Sequence, residues 1–251
     1  MSTGRVLVLA DAHLRGREDP AQRELVRFLD TAARTGIEGL VLLGDMFEFL
    51  AGPNPVALQA FAPFLDALAR VRPLHVFEGN HDFDLPTEAA GLRGAALHPG
   101  PATLELSGLR CLLLHGDRVS PFDLGTRLLR RALQSSPVRA LRDRWLPPAA
   151  LFRFALAFAG ASRRRAWPGR ADEAGWLRRR ARRALQAGGL DAVLFAHTHA
   201  GLLEAWPEGL LANPGQARPG GSYLELEGRA LRLRGFPSGR LLAAHALAPQ
   251  A

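Results

Sequence analysis

Residues 5–13 read RVLVLADAH, an apolar run that stops at Asp11 and His13. A run of this length reads as a buried strand and is too short for the core of a signal peptide. Residues 20–35, PAQRELVRFLDTAART, follow with Leu25, Phe28 and Leu29 on one helical face. The unit then repeats. GLVLLG (39–44) reads as a strand, NPVALQAFAPFLDALARV (54–71) as a helix despite Pro63, and LHVFEG (74–79) as a strand. Strands separated by helices of this length predict a mostly parallel sheet of right-handed βαβ units.

Farther along, TLELSG and LRCLLLHG (103–116) predict an antiparallel pair turning at Ser107-Gly108. Residues 121–187 change character: they are helical and arginine-rich, interrupted by Pro137, Pro147-Pro148 and Pro168-Gly169. DAVLFAH (191–197) returns to strand, and five short strands close the chain. This organisation predicts one α/β domain over residues 1–251, with 121–187 as a helical insertion between the halves of the sheet.

Bulk properties narrow the function classes. The 251 residues carry a net charge of +8, and every basic residue is arginine. Residues 118–187 hold 17 arginines against Asp123, Asp143, Asp172 and Glu173, a net of +13, so the rest of the chain is mildly acidic at about −5. A basic region on an acidic scaffold predicts an anionic partner: phosphates, nucleic acid or an anionic membrane surface. Phe152, Phe154 and Phe158 form an apolar cluster and are not spaced as stacking platforms, which argues against nucleic acid. Cys111 is the only cysteine, so neither an internal disulfide nor a thiolate zinc site is available. Nothing resembles a membrane span, and a cytoplasmic location is expected.

In open α/β sheets, ligands bind at the carboxyl ends of the strands. Here those ends carry Asp11-Ala12-His13, Gly44-Asp45-Met46-Phe47-Glu48, Gly79-Asn80-His81-Asp82, His115-Gly116-Asp117 and His197-Thr198-His199. Seven oxygen and nitrogen donors (Asp11, His13, Asp45, Asn80, His115, His197, His199) exceed the needs of one ion. Two divalent ions about 3.5–4 Å apart would use them all and would neutralise a phosphate under in-line attack. Imidazole donors favour transition metals, with Mn²⁺ expected and Fe²⁺ or Zn²⁺ accepting the same set. Glycine before Asp45 and before Asn80 permits a sharp turn and close approach.

The run D-x-H, G-D-x-x-E, G-N-H-D, H-G-D and H-T-H resembles the calcineurin-like metallophosphoesterases in order and spacing. That resemblance implies a four-layer α-β-β-α sandwich of two mixed sheets. It implies one metal on Asp11, His13 and His199, a second on Asn80, His115 and His197, and Asp45 bridging them. It also implies that His81 sits near the scissile phosphate, with Asp82 orienting its ring. Asp117 and Glu48 are read as supporting residues, and His75, His98 and His245 as structural or surface ones.

Within that superfamily, DAHL, GDMFEF, GNHDF and the helical insertion are most similar to the UDP-2,3-diacylglucosamine pyrophosphatases of lipid A synthesis. The resemblance implies cleavage of a nucleotide-linked glycolipid to lipid X and UMP, with residues 121–187 as a lid. No obligate protein partner is implied. Asp123 would contact substrate. The apolar segment with Phe152 and Phe158, flanked by Arg163 and Arg164, would shelter acyl chains or lie on an anionic membrane surface. Two features set the chain apart: His81 stands where better-known members carry arginine, and those members lack the Asn213-Pro214-Gly215 motif, which resembles a loop near the site in many other relatives. A soluble phosphodiester, nucleotide or nucleic acid is the alternative substrate.

Overall fold

The computed structural model describes residues 4–118, 124–164 and 170–248. Alternation in the first strand sets the layers. In β1 (Val6–Leu9), Leu7 and Leu9 face a core shared with helices, while Val6 and Val8 face a core shared with a second sheet. Successive side chains on a strand point to opposite faces, so a strand apolar throughout must be covered on both sides.

β1 pairs in parallel with β2 (Gly39–Leu43), β2 with β4 (Leu74–Phe77), and β4 with β6 (Ala96–His98). The antiparallel strands β12 (Ser222–Glu227), β13 (Ala230–Gly235) and β14 (Leu241–Ala246) extend the other edge into a seven-stranded mixed sheet. The second sheet runs β10 (Leu202–Trp206), β11 (Gly209–Asn213), β9 (Ala192–Phe195), β8 (Leu109–Leu114), β7 (Ala102–Leu106). Its central pairs are parallel and its outer pairs antiparallel. A two-stranded piece, β3 (Leu50–Ala51) with β5 (Asp82–Phe83), sits beside the strand ends.

Helices α1 (Pro20–Arg34) and α2 (Pro55–Leu68) cover the first sheet with Leu25, Leu29, Phe61 and Phe64. Each starts on a side-chain cap followed by proline: Asp19 Oδ1 accepts from the Ala21 amide at 2.9 Å, and Asn54 Oδ1 from the Val56 amide at 3.0 Å. Both arrangements satisfy otherwise orphan helix donors.

The expected insertion contains α3 (Leu124–Leu133), α4 (Ser136–Arg144), α5 (Pro148–Arg164) and α6 (Arg170–Gln186). Its last helix is a layer of the sandwich. Leu177, Ala181 and Leu185 of α6 pack on Val193, Phe195 and Leu211 of the second sheet, completing the α-β-β-α order. Helix α5 rests on α2, where Phe152 packs edge-on against Phe61 at 5.8 Å between centroids.

Candidate metal centre

The loops after β1, β2 and β4 are stitched together by their backbones. The Asp11 amide donates to Gly44 O at 3.1 Å, His13 to Asp45 O at 3.0 Å, and Leu50 to His81 O at 3.0 Å. On the other sheet the Ala196 amide donates to His115 O at 2.9 Å. These bonds gather all seven expected donors at one edge of the sandwich.

Two triads of the expected donors result, Asp11 with His13 and His199, and Asp45 with His115 and His197, and a third group joins His13 to Glu48 and His81; within each, the donor atoms lie within 4.8 Å of one another. His13 Nε2 and His199 Nε2 face each other at 3.1 Å. Asp45 Oδ2 stands 3.4 Å from His115 Nε2 and 3.9 Å from His13 Nε2, so it touches both groups. Asn80 Oδ1 joins the second group at 3.2 Å from His115 Nε2. Asp11, His13, Asp45 and His115 are buried, while Asn80, His81, His197 and His199 are half-buried and form the open side.

The donor set fits divalent cations. Asp11 Oδ1 is buried and takes no hydrogen bond among the described residues, yet His199 Nε2 and His13 Nε2 approach it at 3.6 and 4.0 Å. Convergent lone-pair atoms around a buried carboxylate need a cation or protons between them. Burial pushes the Asp11 carboxyl up to about 7, assisted by the Asp45 charge and opposed by His115 and His197. Burial also acts on Asp45, but the facing His115, His81 and His13 outweigh it and hold its carboxyl well below the usual range. His115 responds in the opposite sense: burial lowers it, and Asp45 with Asp11 raises it well above the ordinary imidazole value.

Ring orientation is set by main-chain atoms. His115 Nδ1 donates to Leu43 O at 2.9 Å, leaving Nε2 for the centre. Such outer hydrogen bonds fix the tautomer of a ligating histidine. Gly44, at φ 88°, makes room for this ring: a Cβ there would lie 2.5 Å from His115 Nδ1.

His81 sits edge-on to His13 with centroids 4.9 Å apart, beside both groups. Its Nδ1 donates to Glu48 O at 2.8 Å, and its amide to Asp45 Oδ1 at 2.9 Å. The orienting contact expected of Asp82 thus belongs to the Glu48 carbonyl. Asp82 instead accepts from the amides of Met46 (2.6 Å), Gly79 (2.8 Å), Asp45 (2.9 Å) and Phe47 (3.3 Å), pinning two donor loops together. The buried Glu48 carboxylate lies within 4.8 Å of ring nitrogens of His13 and His81.

Sequence reasoning missed several supports. Arg130 of α3 is buried and donates to Gly79 O at 2.6 Å and to Asp117 at 3.3 Å, and it also pairs with Glu78. Gln216 meets His199 Nδ1 at 3.4 Å, and Asn213 Nδ2 holds Thr198 Oγ1 at 3.0 Å behind the histidine loop. Glu173 of α6 stands 3.4 Å from His197 Nε2. Of these, Asn213 is marked in the sequence by its Asn213-Pro214-Gly215 motif, and Glu173 shows as a charge in line with the apolar stripe of its helix.

The expected substrate contacts fare differently. Phe152 is 8% exposed and belongs to the core, so it anchors α5 and does not face a ligand. Phe158 is 54% exposed and stacks near Phe154, itself 70% exposed. Asp123 lies outside the described residues, as do the side chains of Arg163 and Arg164.

The model of the calcineurin-like phosphoesterases matches residues 4–201, which include every one of these donors. The chain belongs to the calcineurin-like phosphoesterase family. Among curated proteins, this family member is 36% identical over 138 residues to a UDP-2,3-diacylglucosamine hydrolase of Aeromonas salmonicida, covering 54% of each chain. It is 26% identical over 202 residues to the protein of that name from Pseudomonas putida, covering 77% of this chain and 81% of that one. The chain spans about half the length of the Aeromonas relatives it matches. In fold it is similar to Yfce, a phosphoesterase from E. coli, with a TM-score of 0.50, 18% identity, and coverage of 97% of this chain and 100% of that one.

Proposed function

We propose that this chain is a di-metal-dependent hydrolase that cleaves the pyrophosphate of UDP-2,3-diacylglucosamine to lipid X and UMP. The observation that carries the hydrolase reading is the pair of donor groups meeting at Asp45, with His81 beside them. Asp11, His13 and His199 would hold one ion, Asn80, His115 and His197 the other, with Asp45 between. When bound, the ions, Mn²⁺ in the first instance, would supply Lewis-acid neutralisation of the phosphate oxygens.

The protein's own groups do the rest. Asp82 and Arg130 hold the donor loops in register. His81 commits its Nδ1 proton to the Glu48 carbonyl, so Nε2 is the nitrogen left for substrate. Protonated there, it stabilises charge on the phosphate or passes its proton to the departing oxygen.

The substrate reading is supported by the names of the relatives and by the exposed Phe154–Phe158 pair on α5. That pair offers an apolar surface for acyl chains, and Trp145 and Leu146, just ahead of α5, are also exposed. Among the described residues, no helix is long and apolar enough to cross a membrane. Peripheral contact with an anionic membrane on its cytoplasmic side is the setting we propose.

The test is hydrolysis with Mn²⁺ of three substrates: UDP-2,3-diacylglucosamine in micelles, its deacylated analogue, and a small chromogenic phosphodiester. UMP released from the acylated substrate alone, and lost in Asp45→Ala, is the expected result. Turnover of the small diester without the glycolipid would replace the substrate with a soluble diester. The absence of metal-dependent turnover on all three would overturn the hydrolase reading.

A further inference from the structure

Helix α6 bears a stripe at four-residue spacing: Glu173, Leu177, Ala181 and Leu185, all buried. Residues four apart share a helix face and advance about 6 Å per step. The three apolar members lie along the sheet against Val193 and Phe195 of β9. Glu173, one step beyond Leu177, reaches past the strand to the loop at its end, where its Oε1 stands 3.4 Å from His197 Nε2. Gly116 lies against this contact at φ 132°. A Cβ there would lie 3.1 Å from His197 Cβ and 3.7 Å from Leu177 Cδ1. A carboxylate at the end of an apolar stripe costs free energy unless a charged or hydrogen-bonding partner meets it. The partner here is a residue of the donor set.

We infer that Glu173 is a positioning residue for the metal centre and couples the seating of α6 to the loading of the ion held by His197. The Glu173 carboxylate accepts a hydrogen bond from His197 Nε2–H. This fixes the ring's orientation and tautomer, and leaves Nδ1 as the lone-pair nitrogen for the ion. Metal-ligating histidines commonly give their second ring proton to a carboxylate in this way, and loss of that partner lowers metal affinity about 10- to 100-fold. Because α6 is a layer of the sandwich, ion and helix stabilise each other reciprocally. The inference rests on the two-ion reading proposed above.

Calorimetric titration of the full chain with Mn²⁺, for wild type, Glu173→Gln and Glu173→Ala, separates the possibilities. Two ions are expected in wild type. Both variants should weaken one of them about 10- to 100-fold and leave the other within about twofold. Hydrogen exchange supplies the second readout. Mn²⁺ should slow exchange across α6 in wild type and leave it unchanged in Glu173→Gln, which keeps the size of the side chain. If Glu173 were only a buried acid of the first helical turn, the variants would shift the melting temperature with both affinities unaltered. That result overturns the inference and spares the two-ion reading. A wild-type chain that binds fewer than two ions removes both.

Discussion

Five donor residues, Asp11, His13, Asp45, His197 and His199, hold φ between 45° and 69°. A non-glycine residue in this left-handed region costs about 1–3 kcal/mol and persists only where its surroundings over-determine it. The surroundings here are main-chain bonds, namely the four amides on Asp82 and the carbonyls behind His81 and His115. Residue types were therefore legible in the sequence, since an apolar run ending in Asp or His states its own chemistry. Their supporting atoms were not, because a carbonyl carries no sequence signature and Asp82 meets amides 35 to 37 residues away. Gly44 tests how finely the centre is fitted. Its φ of 88° penalises any Cβ, and that Cβ would also strike the His115 ring. Gly36 provides the reference, at φ 73° with nothing within 4 Å. Because both positions carry the same backbone strain, the clash alone should make Gly44→Ala less stable than Gly36→Ala by about 1–3 kcal/mol, the range for overpacking, and weaken Mn²⁺ binding. Urea midpoints and metal titrations of the two variants check this; equal losses would mean that only backbone conformation is at stake.

At the scale of elements, α5 carries its packing in its periodicity. Phe152, Ala155 and Ala159 are buried, with Leu156 packed beside them, which is the i, i+3, i+4, i+7 pattern of a packed face. Phe154 and Phe158 share the other face. Pairing Phe152 with Phe158 joins residues six apart, about 120° away from each other around a helix of 3.6 residues per turn. Phe152→Ala should therefore cost about 3–5 kcal/mol, in the range for truncating a buried aromatic. Phe158→Ala should fall within about 0.5 kcal/mol of wild type, as an exposed substitution. Thermal melts of both variants decide between them. The pair of strands β4 and β6 offers a second case, since His75 Nδ1 and His98 Nε2 meet at 3.1 Å and His98 stacks on Phe77. Burial lowers both imidazole pKa values from 6.5, and for His98 the neighbouring His75 adds to the effect. Below pH 6.5 the unfolded chain then binds more protons than the folded one, so this stabilisation is complete above 6.5 and lost as the pH falls. His98→Phe should flatten the fall in melting temperature between about pH 7 and pH 5; a curve parallel to wild type would show that the pair does not titrate in that window.

For the whole molecule, the contrast between a basic helical region and an acidic remainder was plain in the sequence, but its partner was read as external. Many of those charges are spent internally. Arg130 pairs with Glu78 and Asp117, Arg139 and Arg142 with Asp84, Arg178 with Glu204, and Arg182 with Glu208. Composition reports the charges on each segment and says nothing of which surfaces meet, because that depends on how α3, α4 and α6 close over the sandwich. These pairs differ in worth. Arg130 is 4% exposed and its two carboxylate partners are nearly as buried, whereas the Arg139 side chain is about half exposed. Removing one member of a buried pair strands the other charge and costs about 3–5 kcal/mol. An exposed pair contributes about 0–1 kcal/mol. Arg130 also donates to the carbonyl of Gly79, directly before Asn80, so its loss should loosen the loop that carries His81. Arg130→Met, which keeps the aliphatic volume, should therefore lose about 3–5 kcal/mol in urea and reduce turnover. Arg139→Met should lose less than about 1 kcal/mol, and 1 M salt should shrink its difference from wild type. Equal small losses from the two variants would mean that the helices are held by apolar contacts such as Phe152 on Phe61, with the arginines along their flanks as solvated charge.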